Sequence, residues 1–283
     1  YGANSFTKKI LKNISKEKPS VHLMLGDLSY DQIVPEEKWC AFVKKYLPYV
    51  PIELIAGNHE SDGVNGSIEN FTSCLPNTIA NTQGEYGKEY YFDYPEQNPL
   101  ARFILISPDL HFANGRTFSY TDSSEHMEWL KKSIKEGHEK GIPWTIVGMH
   151  KVCISVGSKS CEVGEELMNY LLSHGVDLIL QGHAHSYERT AQLVCLTINR
   201  FDSACLGDSK LKEYTQGNGG IIAIIGTGGA KFQAIKLQDL EAPYFVSLLG
   251  NMYGFSKFEV TEQNLKGTFH SLSGVKDEFI IVR

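Results

Sequence analysis

Short apolar runs alternate with amphipathic stretches through about residue 190. Apolar residues at a spacing of three or four predict helices, which we place at residues 5–17, 36–47, 122–138 and 165–173. Short runs rich in apolar residues predict buried strands at residues 21–25, 52–56, 90–93, 103–107, 145–148 and 176–180. Residues 61–88 are polar and rich in Gly, Asn and Ser, so we predict a loop there.

The pattern after Thr190 becomes mostly that of strands, with candidates at residues 191–197, 220–225, 255–261 and 277–282. Strands that alternate with helices and are followed by a β-rich part indicate an α/β (α+β) fold class. Within the helical part, Asp122 is the expected cap of its helix, and Gly175 is expected to close the helix at 165–173. There is no internal repeat or linker, so we predict a single domain over residues 1–283.

The composition is that of an ordinary globular protein. Of 283 residues, 42% are hydrophobic and 21% are charged, which excludes a disordered chain. No apolar window is long enough to cross a bilayer, and no run of Lys and Arg indicates a nucleic-acid-binding surface. The formal net charge of −6 means that an anionic substrate would need local positive charge, such as metal ions.

Six cysteines and three glycosylation sequons favour the secretory pathway, with a secreted or lysosomal protein as its product. Four cysteines form two couples that are close in sequence, Cys153 with Cys161 and Cys195 with Cys205, which leaves Cys40 and Cys74 as a possible third pair. The sequons begin at Asn13, Asn65 and Asn70. Because the chain opens at Tyr1 without an initiator Met, we expect a processed form or a fragment.

Four segments place polar side chains directly after a predicted strand. They are Gly26-Asp27-Leu28-Ser29-Tyr30, Gly57-Asn58-His59-Glu60, Val147-Gly148-Met149-His150 and Gly182-His183-Ala184-His185. Ligands of open α/β sheets collect at the carboxyl ends of strands, so four such ends in one sheet would converge on one crevice. The mixture of oxygen and nitrogen donors suits a transition metal rather than a thiolate site. Each segment alone is weak, but their shared order and strand context predict a metal centre.

These segments resemble the purple acid phosphatases, within the calcineurin-like metallophosphoesterases. The family pattern is Asp-x-Gly, Gly-Asp-x-x-Tyr, Gly-Asn-His-Asp/Glu, Val-x-x-His and Gly-His-x-His, and four of its five blocks are present. The last block continues into Tyr187-Glu188-Arg189, as in the plant-type branch, and Tyr30 is the tyrosine that separates this family from the wider superfamily. The resemblance implies a β-sandwich flanked by helices, with metal ligands at the ends of strands.

The resemblance also implies a binuclear metal centre that hydrolyses phosphate monoesters with a metal-activated water. By position in the blocks, Asp27 would bridge the metals, Tyr30 and His185 would bind Fe(III), and the ligands of the divalent ion, Fe(II), Zn(II) or Mn(II), would be Asn58, His150 and His183. Asn58 and His59 would contact the phosphate, with His59 as the catalytic donor to the phosphate or the leaving group. Two alternatives stay open: a phosphodiesterase that acts on nucleotides or phospholipid head groups, and a degenerate binding protein without activity.

Two departures from the family pattern bear on the chemistry. The Asp-x-Gly block, which supplies a ferric-site ligand, is absent, and we expect it on a strand just upstream of Tyr1 in the natural chain. Plant-type members often carry histidines in the loop after Val-x-x-His, whereas residues 151–173 contain none. The polar candidates in that loop are Lys151, Lys159 and Ser160, and the leaving-group acid stays open.

Overall fold

The structure is a computed structural model that describes residues 1–30 and 36–283. Its α-helices are α1 (Ser5–Glu17), α2 (Glu36–Tyr46), α3 (Asn58–Ser61), α4 (Ile68–Cys74), α5 (Glu125–Glu139) and α6 (Glu165–Ser173). Its strands are β1 (His22–Leu25), β2 (Ile52–Ile55), β3 (Gln83–Glu85), β4 (Glu89–Tyr94), β5 (Ala101–Ile106), β6 (Trp144–Met149), β7 (Leu178–Gln181), β8 (Tyr187–Leu193), β9 (Leu206–Asp208), β10 (Glu213–Thr215), β11 (Gly220–Ile225), β12 (Phe245–Leu249), β13 (Gly254–Val260), β14 (Asn264–Ser271) and β15 (Gly274–Val282).

A large mixed sheet forms the centre of the fold. Its strands follow the order β12-β8-β11-β7-β6-β5-β4-β3, with β9 paired to β8. The four inner strands β11, β7, β6 and β5 run parallel, and the strands that flank them, β8 and β4, are antiparallel to them. Because β6 and β7 are parallel, their carboxyl ends lie side by side at one edge, which is where the candidate ligands follow.

Two smaller sheets face the large one. One has the order β10-β15-β14-β13, and the other is the parallel pair β1-β2. Among the described strands, β1 pairs only with β2 and β13 pairs only with β14, so each of them keeps one unpaired edge. The four ligand segments therefore end strands of two sheets, and the expectation that they share one sheet is wrong.

Alternating side chains along the large sheet build two cores. Trp144 and Ile146 of β6 pack with Phe279 and Ile281 of β15 between the sheets. Val147 and Met149 of the same strand belong to the second core, whose other members include the apolar faces of α5 and α6, at Met127, Leu130, Ile134, Leu167 and Leu171. The result is a β-sandwich flanked by helices, the fold that the resemblance implies.

Several boundaries differ from the sequence expectations. Residues 61–88, expected to be a loop, contain α4 and β3. Asp122 does not cap α5: the Ser124 side chain accepts the N–H of Met127, while Asp122 pairs with Lys131. The strand expected at 191–197 lies at Tyr187–Leu193, and β14 was not predicted.

All six cysteines are paired, as the sequence led us to expect. The disulfides join Cys40 to Cys74, Cys153 to Cys161, and Cys195 to Cys205. The first links α2 to α4, and the second closes the loop that follows His150. The three sequon asparagines are partly or fully exposed: Asn13, Asn65 and Asn70. In the described part of the chain, every helix is too short or too polar to traverse a bilayer.

Candidate metal centre

Tight backbone turns bring the ends of β1 and β2 together. After β1, Gly26 has a φ of 81° and Asp27 a φ of 50°, which turns the Asp27 carboxylate back toward β2. A Cβ on Gly57 would lie 2.3 Å from Asp27 Oδ1, and one on Gly26 would lie 2.5 Å from the Gly57 nitrogen. Glycine is therefore required at both positions for this approach.

Four candidate ligand atoms meet around His150, which follows β6. Its Nε2 lies 3.2 Å from Asp27 Oδ1, 3.1 Å from Asn58 Oδ1 and 3.0 Å from His183 Nδ1. Asp27, His150 and His183 are all buried and offer ligand atoms within 4.8 Å of one another, a grouping that could hold a metal ion. Four strand ends, those of β1, β2, β6 and β7, thus supply one cluster.

Tyr30 and His185 extend this cluster on the other side of Asp27. The Tyr30 hydroxyl donates to Asp27 Oδ2 at 2.7 Å, and His185 Nε2 lies 2.9 Å from the same hydroxyl. Burial and the Asp27 carboxylate raise the pKa of Tyr30, so a cation beside it would be needed to hold the phenolate form. Asp27 lies between the two halves of the cluster.

Backbone carbonyls select the free nitrogen of two histidines. His150 Nδ1 donates to the Leu25 carbonyl at 2.7 Å, and His185 Nδ1 donates to the Lys231 carbonyl at 2.5 Å. In both rings Nε2 is the nitrogen that faces the cluster. Such bonds fix the tautomer and the ring plane of a metal-binding imidazole.

The Glu60 side chain links the turn after β1 to the turn after β2 by hydrogen bonds. Its buried carboxylate accepts the backbone N–H groups of Asp27 at 2.9 Å, Leu28 at 2.7 Å and Gly57 at 3.0 Å. Burial and the nearby Asp27 raise the pKa of Glu60, while the N–H groups of Gly57 and Leu28 and the charge of His150 act against the rise. Glu60 follows His59 in the Gly-Asn-His-Glu segment, but its side chain was not expected to have a role.

The donor set fits a metal ion. Burial would lower the pKa of His150, but the charge and hydrogen bond of Asp27, together with the Leu25 carbonyl and Glu60, raise it overall. Burial would raise the pKa of Asp27, but His150, together with Tyr30 and His59, lowers it overall. A proton on Nε2 of His150 can serve only one of the acceptors that face it, namely Asp27, Asn58 and His183. A cation shared by these atoms would satisfy all of them at once.

His59 lies beside the cluster rather than within it. Its side chain is 27% exposed, its Nε2 lies 3.9 Å from Asp27 Oδ2, and its ring packs on Tyr30 at 4.4 Å between centroids. Its backbone N–H donates to Asp27 Oδ1 at 3.2 Å. The imidazole is thus positioned to reach a molecule bound at the mouth of the site.

Glu162 is a neighbour of the cluster that the sequence analysis missed. Its carboxylate lies 3.0 Å from His183 Nε2 and 3.4 Å from Lys151 Nζ. Burial would raise the pKa of Glu162, but the contact with His183 and the charge of Lys151 lower it to about 2. No local sequence pattern identifies Glu162 as part of the site, because the fold of the loop after His150 brings it there.

A groove of about 690 Å³ leads away from the centre between β1 and β13. Consecutive residues of both strands border it, so their unpaired edges face the groove. Asp27 and His185 lie at one end, and Lys18 and Thr261 border it as well. Its walls are mainly apolar, with side chains from both layers of the sandwich: Leu23, Leu25, Phe103, Leu180, Ile225, Phe258 and Val260. The Tyr1 nitrogen donates to the Asp27 carbonyl at 2.7 Å, which places Tyr1 at the metal end.

The chain is similar to known phosphoesterases. The profile of the family described as calcineurin-like phosphoesterase matches residues 1–187. Purple acid phosphatase 18 of Arabidopsis thaliana is 26% identical over 202 residues, an alignment that covers 68% of this chain and 43% of that protein. Fe(3+)-Zn(2+) purple acid phosphatase 12 of the same plant is 28% identical over 213 residues, covering 70% of this chain and 44% of that protein.

A solved structure supports the fold over nearly the whole chain. A purple acid phosphatase from yellow lupin seeds superposes with a TM-score of 0.72 at 21% identity, covering 98% of this chain and 48% of that one. The matched part of this chain therefore spans less than half of the length of these relatives. At this identity the superposition establishes the fold, and the activity has to be argued from the site.

Proposed function

The chain belongs to the calcineurin-like phosphoesterase family, and on that premise we propose that it hydrolyses phosphate monoesters at a centre of two metal ions. The observation that carries this proposal is the convergence of Asp27, His150 and His183 within ligand distance of one another, with Tyr30 and His185 adjoining. One ion, Fe(II), Zn(II) or Mn(II), would be held by Asn58, His150 and His183. The other, Fe(III), would be held by Tyr30 and His185, with Asp27 between the two.

Two metal ions at such a site would clamp the phosphate and supply an activated water for in-line attack. The residues of the chain contribute the rest. Glu60 holds the turns that carry Asp27 and Gly57, so the site is organised before substrate arrives. Asn58 and His59, at the start of α3, are placed to donate hydrogen bonds to the phosphate oxygens, and the partly exposed His59 can give a proton to the leaving oxygen.

The disulfides and the sequons support a secretory setting, and we propose a secreted or lysosomal glycoprotein. The donor chemistry supports an acid phosphatase acting on small phosphate esters. We also propose that residues 1–283 form one catalytic domain whose ferric site is completed by a strand from outside this range, seated in the groove between β1 and β13. The unpaired edges of both strands and the position of Tyr1 support that arrangement.

The proposal is tested with the full-length purified protein. We expect two metal ions per chain by emission spectrometry and turnover of 4-nitrophenyl phosphate that exceeds turnover of bis(4-nitrophenyl) phosphate in mildly acidic buffer. A preference for the diester would replace the monoesterase assignment by the phosphodiesterase alternative. A full-length protein that binds no metal and turns over neither ester would leave the non-catalytic binding protein.

A further inference from the structure

The two ring nitrogens of His183 face different partners. Nδ1 lies 3.0 Å from His150 Nε2, in the candidate ligand cluster. Nε2 lies 3.0 Å from Glu162 Oε2, and both of these atoms are buried with no hydrogen-bond partner elsewhere in residues 1–30 and 36–283. A neutral imidazole carries one proton, so the partner of one nitrogen decides the state of the other.

His183 differs in this respect from the other two candidate histidine ligands. Backbone carbonyls accept the Nδ1 protons of His150 and His185 and leave Nε2 free. His183 instead presents Nδ1 to the cluster. Its other nitrogen, Nε2, faces the Glu162 carboxylate rather than a backbone carbonyl. A carboxylate is a stronger acceptor, and it raises the basicity of the imidazole that it contacts.

The loop that carries Glu162 is built to hold this carboxylate in place. The Cys153–Cys161 disulfide closes the loop, and the Glu162 N–H donates to the Val152 carbonyl at 3.0 Å. Lys151 Nζ lies 3.4 Å from Glu162 Oε1 and 2.7 Å from Asp109 Oδ2. Because Lys151 occupies Oε1, the other oxygen, Oε2, is directed to His183.

We infer that Glu162 is a positioning residue, which accepts the Nε2 proton of His183 and so fixes Nδ1 as the metal-binding nitrogen. The inference rests on the proposed function for the presence of the metal, but it concerns only how this chain prepares one ligand. Outer carboxylates of this kind typically contribute about 10- to 100-fold to metal affinity. Glu162 thereby gives the loop after His150, which lacks histidines, a role at the metal centre.

The test is zinc affinity of the full-length protein, measured by competition with a chromophoric chelator. E162Q removes the charge with little change in size and should weaken zinc binding by about 10- to 100-fold. E162D keeps the charge on a side chain that is shorter by one methylene group, and it should recover part of the zinc affinity. E166Q is the matched control, because Glu166 is an exposed glutamate at the start of α6, whereas the side-chain partners of His183 in the described residues are His150 and Glu162. Equal zinc affinity in E162Q and the wild type would overturn the inference, as would an equal loss in E166Q.

A second readout reports on the proton itself. In ¹⁵N-labelled, zinc-loaded protein, the His183 Nε2–H resonance should be protected from exchange in the wild type and broadened or lost in E162Q. A zinc-loaded wild type in which His183 carries its proton on Nδ1 would refute the inference even if E162Q were too unstable to titrate. A wild type that binds zinc with the expected tautomer but hydrolyses no phosphate ester would remove the proposed function and leave the role of Glu162 intact.

Discussion

Asp27 and His183 both adopt the left-handed backbone conformation, with a φ of 50° at each. This region is costly for residues other than glycine, and such residues are enriched where function requires a fixed geometry. Each of the two follows a strand, β1 or β7, and each is turned toward His150. The backbone thus holds two of the proposed ligands in an unfavourable conformation that brings their donor atoms together.

Replacing Asp27 with Asn should abolish hydrolysis while the protein stays folded. Asn tolerates the left-handed conformation as well as Asp does, and the amide has a similar size. The variant loses the charge that faces His150 at 3.2 Å. We expect turnover to fall by at least about 100-fold, no less than the loss of a single oxyanion-hole donor causes, and metal content to drop with it.

The control for this substitution is Asp122→Asn. Asp122 is an exposed aspartate whose carboxylate pairs with Lys131 of α5, outside the ligand cluster. It should keep its metals and most of its turnover. Full turnover in Asp27→Asn would rule out the two-metal proposal.

Replacing His59 with Ala should lower kcat while the metals stay bound. His59 lies beside Asp27 and Tyr30 without being part of the ligand cluster, so its loss should act on charge that develops in the transition state. General acid–base groups typically contribute about 10²- to 10⁴-fold. The measurement is steady-state kinetics together with metal content by emission spectrometry, and a stoichiometric loss of metal would show that His59 is a ligand instead.

Much of the fold follows from local patterns. The apolar run around Met24 and the helical spacing of Ile10, Leu11 and Ile14 predict β1 and α1 to within a residue or two, because these residues face one core throughout. The pattern of α4 is weaker, since a seven-residue helix offers one apolar face of only Ile68 and Phe71. Sequence could not show that β1 and β6 lie in different sheets, because strand pairing is set by long-range packing.

Sequence patterns likewise predict one part of the candidate site and leave another part undetermined. The residues of the four blocks could be singled out because each follows a strand, and the fold brings them into one cluster. Glu162 contacts Lys151 and His183 only through the closure of the loop between Cys153 and Cys161, which sequence cannot place in space. The choice between Nδ1 and Nε2 in each histidine likewise depends on tertiary neighbours such as the Leu25 and Lys231 carbonyls.

Replacing Glu53 with Gln should stabilise the protein in alkaline solution. Glu53 on β2 is fully buried, its carboxylate has no hydrogen-bond partner in the described residues, and burial raises its pKa from 4.5 to about 8. The folded state therefore keeps a proton that the unfolded chain releases above pH 4.5. The free energy of unfolding should fall as pH rises from 4.5 to 8, and the neutral amide should remove that fall.

Thermal melts of both proteins at pH 5 and pH 8 check this prediction. The Tm of Glu53→Gln should match the wild type at the lower pH and exceed it at the higher one. Glu262→Gln, at an exposed turn before β14, should follow the wild type at both. If the wild type and Glu53→Gln had the same Tm at pH 8, ionisation of Glu53 would not lower the free energy of unfolding.

Removing the Cys153–Cys161 disulfide should weaken metal binding as well as stability. The bridged residues are 8 apart in sequence, so replacing both with Ala should cost about 2–3 kcal/mol in the free energy of unfolding. Cys195 and Cys205 are 10 apart and lie away from the cluster, so their double replacement should cost a similar amount without changing zinc affinity. Equal zinc affinity in the two double variants would show that the loop does not support the site.

The last prediction concerns the groove between β1 and β13. A strand seated there would pair with both free edges and join the two small sheets into one, and its apolar side chains would cover the half-buried Leu23, Phe103 and Phe258. If it ran parallel to β1, its carboxyl end would lie beside Asp27, next to the Tyr1 nitrogen. A carboxylate carried at that end would add an anionic oxygen donor for a ferric ion, whose other proposed ligands in the described residues are Tyr30, His185 and the shared Asp27.

Residues 1–283 expressed alone should therefore bind about one metal ion tightly, at Asn58, His150 and His183. Protein that includes the upstream strand should bind two ions and absorb visible light through charge transfer from Tyr30 to iron.

In the longer protein, Val260→Asp would place a charge in the wall of the groove, away from every proposed ligand, and should reduce that absorption together with the second metal ion. Val275→Asp, at a position on β15 that is 53% exposed, should leave both unchanged. A longer protein that holds two irons but stays colourless would exclude Tyr30 as a ferric ligand, and equal metal content with and without the upstream strand would show that the groove has no part in the metal centre.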